Sequence, residues 1–194
     1  MKYFTKEEIR DLVIAIVAVT LIFSAKTFPN IGFDLDNFPV YFLAVITAFL
    51  FHELAHKFTA MKFNCAAFFK LWPQGIIFGL ILMFTGFKFV APGAVMIFPF
   101  MFGRWGYRRI HLTNTEMGLI ALAGPLVNLS FALIFSLLPG AIFNFLFMVN
   151  SWLYLFNMLP IPPLDGSKVM MWNTGLWVFF FIIGLALMIP YVLI

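Results

Sequence analysis

Charge is scarce in this chain. Only 10% of its 194 residues are Asp, Glu, Lys or Arg, 63% are apolar, and the mean hydropathy is +1.03. An ordinary soluble domain carries about 25% charged residues, so that class is excluded. Cysteine is nearly absent as well. Cys65 stands alone, which excludes a disulfide framework and a thiolate metal site. No repeat of fixed period, low-complexity tract or charge block is visible, and no polar stretch is long enough for an appended soluble domain. The net charge of +4 is spread over segment ends and not gathered on one face, which argues against a nucleic-acid partner. No signal peptide is evident. Residues 1–11 read as a polar helix start, with Thr5 and Glu8 at capping-box spacing, and no small-residue cleavage site follows.

What is present is a series of apolar runs, several reaching the ~20 residues that cross a bilayer. The chain reads as an all-α polytopic membrane protein, one integral-membrane domain over residues 1–194, with about six transmembrane helices. The spans are expected at about 12–28, 40–63, 73–90, 117–138, 141–159 and 172–194. Lys2, Lys6 and Arg10 precede the first span, only Lys26 lies between the first two, and Lys57, Lys62 and Lys70 gather at the end of the second. The positive-inside rule then places the N-terminus and the 64–72 loop on the cytoplasmic side of the cell membrane. Span two therefore runs inward.

The stretch Pro73–Phe102 is too long for one span and too short for two, and Pro92-Gly93 and Pro99 break it. Arg104, Arg108 and Arg109 place its end inside again, so residues 91–102 are read as re-entrant. Val90, Val95, Ile97 and Phe98 are candidates for short strands there, since non-helical backbone at that depth must line a protein or water-filled cavity. A single tilted span is the alternative.

Histidine is also rare, with three in the chain, and two of them fall in span two as His52-Glu53-Leu54-Ala55-His56. At i and i+4 the imidazoles share a helix face and can ligate one metal ion. Glu53 sits about 100° round the helix, where a carboxylate can take a proton from metal-bound water. Ionisable groups at membrane depth mark function by default. Beyond Glu116 the only charged residues are Asp165 and Lys168, and Asp165 follows the helix-breaking run Pro160-Ile161-Pro162-Pro163. The inward course of the preceding span brings Asp165 to the same half of the membrane as the histidines. Two imidazoles and a carboxylate leave a fourth position open, the pattern of catalytic zinc. As an isolated residue, Asp165 reads equally well as a turn residue capping the helix after it. Asn128 and Asn157 read either as interhelical hydrogen-bond partners or as substrate contacts. His111 reads as an interfacial residue, and Lys57 as a side chain snorkelling to the headgroups.

The sequence His52-Glu53-Leu54-Ala55-His56, Ala123-Gly124-Pro125 with Asn128, and Asn157 through Pro160 and Pro163 to Leu164-Asp165-Gly166 resembles the site-2 protease family of intramembrane zinc metalloproteases. Phe89 to Ile97 is similar to that family's membrane-embedded β-hairpin. The resemblance implies one Zn2+ held by His52, His56 and Asp165, Glu53 as general base, and Asn128 and Asn157 near the substrate or its oxyanion. It also implies a transmembrane protein as substrate, cleaved near the cytosolic face by zinc-activated water. An unwound substrate is expected to add as a strand to the re-entrant segment. Two other readings compete. Buried His, Glu and Asp also mark metal-ion transporters, although the inverted repeats and paired broken helices of that class are not found. A zinc-bound, catalytically inactive partner protein is the third.

Overall fold

The computed structural model describes residues 3–85, 88, 91–103, 106–109 and 111–192. It is mostly helical with small two-stranded sheets, and it divides into two compact units. Residues 1–50 and 68–96 make the first, residues 51–67 and 97–194 the second.

The first unit begins with α1 (Lys6–Ser24), opened by Thr5, whose hydroxyl accepts from the Glu8 amide at 3.1 Å. Its helix starts and ends earlier than the expected span. Leu12, Ala15, Val19 and Ile22 recur at helical spacing and are buried. Leu12, Ala15 and Val19 pack with Val45, Phe49 and Phe69, and Ile22 with Ala25 and Met83. A short antiparallel pair, β1 (Ala25–Lys26) and β2 (Gly32–Phe33), follows. In the next loop the Asp34 carboxylate accepts from the Asn37 side chain at 2.9 Å and from the Tyr41 hydroxyl at 3.0 Å. The Asn37 hydrogen bond foremost holds the Asp34 carboxyl below its ordinary range.

Pro39, at the start of α2 (Phe38–Val45), enters the helix where its missing N–H is no loss. A π-helical turn, Ile46–Leu50, runs on into α3 (Phe51–Lys62). Together these make a 25-residue helix long and apolar enough to cross a membrane. Asn64, at φ 61°, closes α3 in the left-handed conformation that asparagine tolerates.

Residues 64–72, expected as a loop, instead contain a strand, β3 (Ala66–Leu71), which pairs with β4 (Gly93–Phe98). Between them lie α4 (Pro73–Leu82) and a 3₁₀ turn (Met83–Thr85). These 13 residues rise about 20 Å, short of the ~30 Å hydrocarbon core. Over the expected span at 73–90 the described residues form this shorter helix, and β4 follows it within 73–102. Val95, Ile97 and Phe98 lie in a strand as expected. Among the described residues its partner is the distant β3. Phe89, Val90 and Arg104 lie outside the described residues. A further antiparallel hairpin, β5 (Phe100–Gly103) with β6 (Gly106–Arg109), was not foreseen; it pairs Phe100 with Arg109 and Gly103 with Gly106.

Backbone accounting around β3 explains two buried carboxylates on α1. Trp72 N–H donates to Pro92 O at 2.8 Å, on the β4 side. Successive amides alternate in direction, so those of Phe69 and Leu71 point the other way. There Glu8 accepts from Phe69 N–H at 3.0 Å and Asp11 from Leu71 N–H at 3.3 Å.

In the second unit α5 (Asn114–Ser136) is the central helix, packed by α3, α6 (Ala141–Asn157) and α7 (Asp165–Trp172). It is the second helix long and apolar enough to cross a membrane. Thr113 and Glu116 form a complete capping box at its start. The last helix, α8 (Thr174–Val192), packs on α6 and α7. Ala121, Leu122, Leu129, Tyr154, Met158 and Val169 form the core, and the Tyr154 hydroxyl donates to Phe180 O at 2.6 Å.

Candidate metal centre

Helix α3 has two faces. Phe51, Leu54, Ala55 and Phe58, spaced i, i+3, i+4 and i+7, line an apolar hollow of ≈ 410 Å³ with residues of α5. His52, Glu53 and His56 are buried. His56 Nδ1 lies 2.7 Å from Ile120 O. A carbonyl can only accept, so Nδ1 carries the proton and Nε2 presents its lone pair. His52 Nδ1 lies 2.6 Å from Asn128 Oδ1, and its Nε2 faces the Nε2 of His56 at 3.0 Å.

Asp165 completes the group. The three prolines end α6 and turn the chain, and α7 begins at Asp165 itself, where its carboxylate suits the helix dipole. Asp165 is thus the first residue of α7 and not its cap, which falls on Leu164. Asp165 Oδ2 stands 3.4 Å from His52 Nε2 and 3.0 Å from His56 Nε2, while Oδ1 is 3.3 Å from Lys168 Nζ. A Cβ on Gly166 would come within 2.2 Å of Met158 O, so only glycine lets the Pro-rich turn lie against the start of α7.

Three ligand atoms thus converge with no donor N–H directed among them, given the Nδ1–H form of both rings. Such a set calls for a cation. Tetrahedral zinc with bonds of about 2.0–2.1 Å sets its ligand atoms roughly 3.3 Å apart, close to the 3.0–3.4 Å found here. Borderline-soft imidazoles with one carboxylate suit zinc better than calcium or magnesium. The donor set fits the metal. Gly124 keeps the space open: a Cβ there would lie 2.3 Å from His56 Nε2 and 2.7 Å from His52 Nε2.

The remaining sequence candidates divide. Asn128 lies on the Nδ1 side of His52, away from the converging Nε2 atoms, and its Nδ2 donates to Asn150 at 3.3 Å. Asn157, at the end of α6, donates to Leu153 O at 3.0 Å and makes no hydrogen bond to the three ligands. His111 is exposed and outside the cluster. Lys57 does not snorkel. It is buried and donates to Ala67 O at 2.8 Å, an acceptor that the start of β3 supplies. Sequence reasoning missed Asn150, which carried no motif.

No protein-family model and no solved structure matches the chain. Two curated proteins are similar to it. "Putative zinc metalloprotease MJ0611" of Methanocaldococcus jannaschii is 40% identical over 194 residues, 95% of this chain and 92% of that protein. "Putative zinc metalloprotease YwhC" of Bacillus subtilis is 29% identical over 166 residues, 71% of this chain and 70% of that protein. With the His52–His56–Asp165 cluster, these relatives identify the cofactor as Zn2+. The chain belongs to the zinc metalloprotease family that these relatives represent.

Proposed function

We propose that the protein is an intramembrane endopeptidase of the site-2 protease type, a single multi-pass domain of about six spans with its N-terminus in the cytoplasm. Its substrate is a transmembrane protein, cut near the cytosolic face. The observation that carries this reading is the convergence of His52, His56 and Asp165, the two histidines lying on a helix long and apolar enough to cross a membrane. Zinc bound there supplies a Lewis acid that polarises a carbonyl and lowers the pKa of a water to about 7.

The chain's own groups supply the rest. Ile120 O and Asn128 fix the two imidazoles, and Lys168 and the first turn of α7 hold the Asp165 carboxylate. Glu53, one residue beyond His52, accepts the proton of the attacking water and delivers it to the departing amine. Asn128 and Asn157 are the candidates for stabilising the oxyanion through amide N–H donors, beside the hydrogen bonds that Asn128 makes to His52 and Asn150 and that Asn157 makes to Leu153 O.

The test is cleavage of a generic single-span substrate by purified, detergent-solubilised protein, with zinc content measured alongside. Glu53→Gln is expected to keep about one zinc while cleavage falls by about 10²–10⁴-fold, the usual contribution of a general base. A variant that still cleaves would remove Glu53 from its role. Wild-type protein that holds zinc but cuts no substrate favours the inactive-partner reading, and zinc flux into vesicles favours the transporter.

A further inference from the structure

We propose that Asn150 on α6 is a positioning residue for the metal centre: it sets the polarity of an amide relay that fixes the proton of His52 on Nδ1. The inference rests on the metal-site reading and deepens it. Its starting point is a backbone carbonyl. Asn150 Nδ2 lies 2.9 Å from Leu146 O, one turn back in the same helix. A carbonyl cannot donate, so the amide atom of Asn150 facing it is the nitrogen. The other amide atom, facing Asn128 at 3.3 Å, is then the oxygen. An oxygen at that place requires a donor from Asn128, so Asn128 turns its Nδ2 to α6 and its Oδ1 to His52, 2.6 Å from Nδ1. That oxygen in turn requires a proton on Nδ1, which leaves Nε2 bare and aimed at His56 Nε2 and Asp165 Oδ2.

Each step is forced by donor and acceptor chemistry. Both asparagines are fully buried, so water does not restore the pattern if one link is lost. His56 needs no relay because Ile120 O acts on it directly. The two ligands are thus oriented by the same device, a main-chain carbonyl, applied at one remove or at three. Outer partners of this kind fix the tautomer and ring orientation of a ligating histidine.

The experiment reads the tautomer apart from catalysis. Full-length protein labelled with 15N at histidine is stripped of zinc, and the ring-nitrogen shifts of His52 are compared for wild type, N150L and N150D. Zinc affinity is then measured by competition with a chelator. Wild type is expected to show His52 protonated at Nδ1. N150L should give a mixture of tautomers and bind zinc about 10–100-fold more weakly. N150D keeps an acceptor toward Asn128, so it should hold the wild-type tautomer and lose far less affinity. A purely structural role would instead make a buried carboxyl at least as harmful as leucine. Wild-type tautomer and affinity in N150L overturn the proposal. If N150L does not fold, a scrambled His52 tautomer in folded N150D does the same. Wild-type protein that shows the Nδ1–H form and binds no zinc would sink the metal reading and leave the relay standing.

Discussion

Two groups of buried ionisable side chains sit in the two units, and they solve opposite problems. In the first unit Glu8 and Asp11 on α1 meet donors, the amides of Phe69 and Leu71 along one edge of β3. In the second unit the Nε2 atoms of His52 and His56 and the Oδ2 of Asp165 meet one another at 3.0–3.4 Å. Acceptors facing donors are a structural device. Acceptors facing acceptors need a cation. Burial of a charge marks neither by itself; the count of donors against acceptors separates them.

The comparison is broken most severely at Gly124. A methyl group at this position would enter the space between the two imidazoles, 2.3 Å from His56 Nε2. Both rings are held from behind, by Ile120 O and Asn128, so neither can yield without losing its partner. Gly124→Ala is expected to weaken zinc binding by at least about 100-fold, the upper end for disturbing ligand orientation. Chelator competition measures it, and wild-type affinity in the variant would show that the site tolerates a side chain where the geometry allows none.

The first unit should respond in the opposite currency, stability without metal. Glu8→Ala strands the buried Phe69 N–H and is expected to destabilise the protein by about 1–3 kcal/mol, with zinc stoichiometry unchanged. Glu8→Gln keeps an acceptor oxygen and should recover most of that loss. Denaturant unfolding in detergent separates the two variants. Equal losses would mean that the charge of Glu8, and not its acceptor oxygen, is what β3 requires.

These differences also explain what was legible in the sequence. The HExxH spacing is local, and a helix converts i and i+4 into one face without help from the rest of the chain. The ligand pair could therefore be read directly. Asp165 was legible for another reason: three prolines and an acid in an apolar tract have few explanations. The pairing of β3 with β4 was not legible, because it joins segments more than twenty residues apart through main-chain groups that carry no residue code. Glu8 was legible as part of the helix cap, which its amide makes with Thr5, but the bond from the distant Phe69 amide to its carboxylate was not, for the same reason. Lys57 was misread because the same kind of acceptor, Ala67 O, leaves no mark in the sequence. Asn128 was visible as a polar residue in an apolar helix, but its direction depended on Asn150 and Leu146 O.

The smallest effect is expected at Lys168, where the two regions' logic meets in one residue. Asp165 offers one oxygen to the metal cluster and the other to Lys168 Nζ at 3.3 Å, so one carboxylate faces acceptors on one side and a donor on the other. Were the ion pair the main support of that carboxylate, Lys168→Ala would release it and zinc affinity would fall steeply. The lysine side chain is 45% exposed, however, and exposed ion pairs contribute about 0–1 kcal/mol after screening and side-chain ordering. Asp165 keeps the first turn of α7 and the close packing of Gly166 against Met158 O, neither of which involves the lysine. Lys168→Ala is therefore expected to weaken zinc by no more than about fivefold, and by less at high salt. Chelator competition at two ionic strengths measures both quantities. A loss approaching that of Gly124→Ala would make Lys168 part of the metal centre's frame, and would mean that the second unit, like the first, depends on a donor to hold its carboxylate.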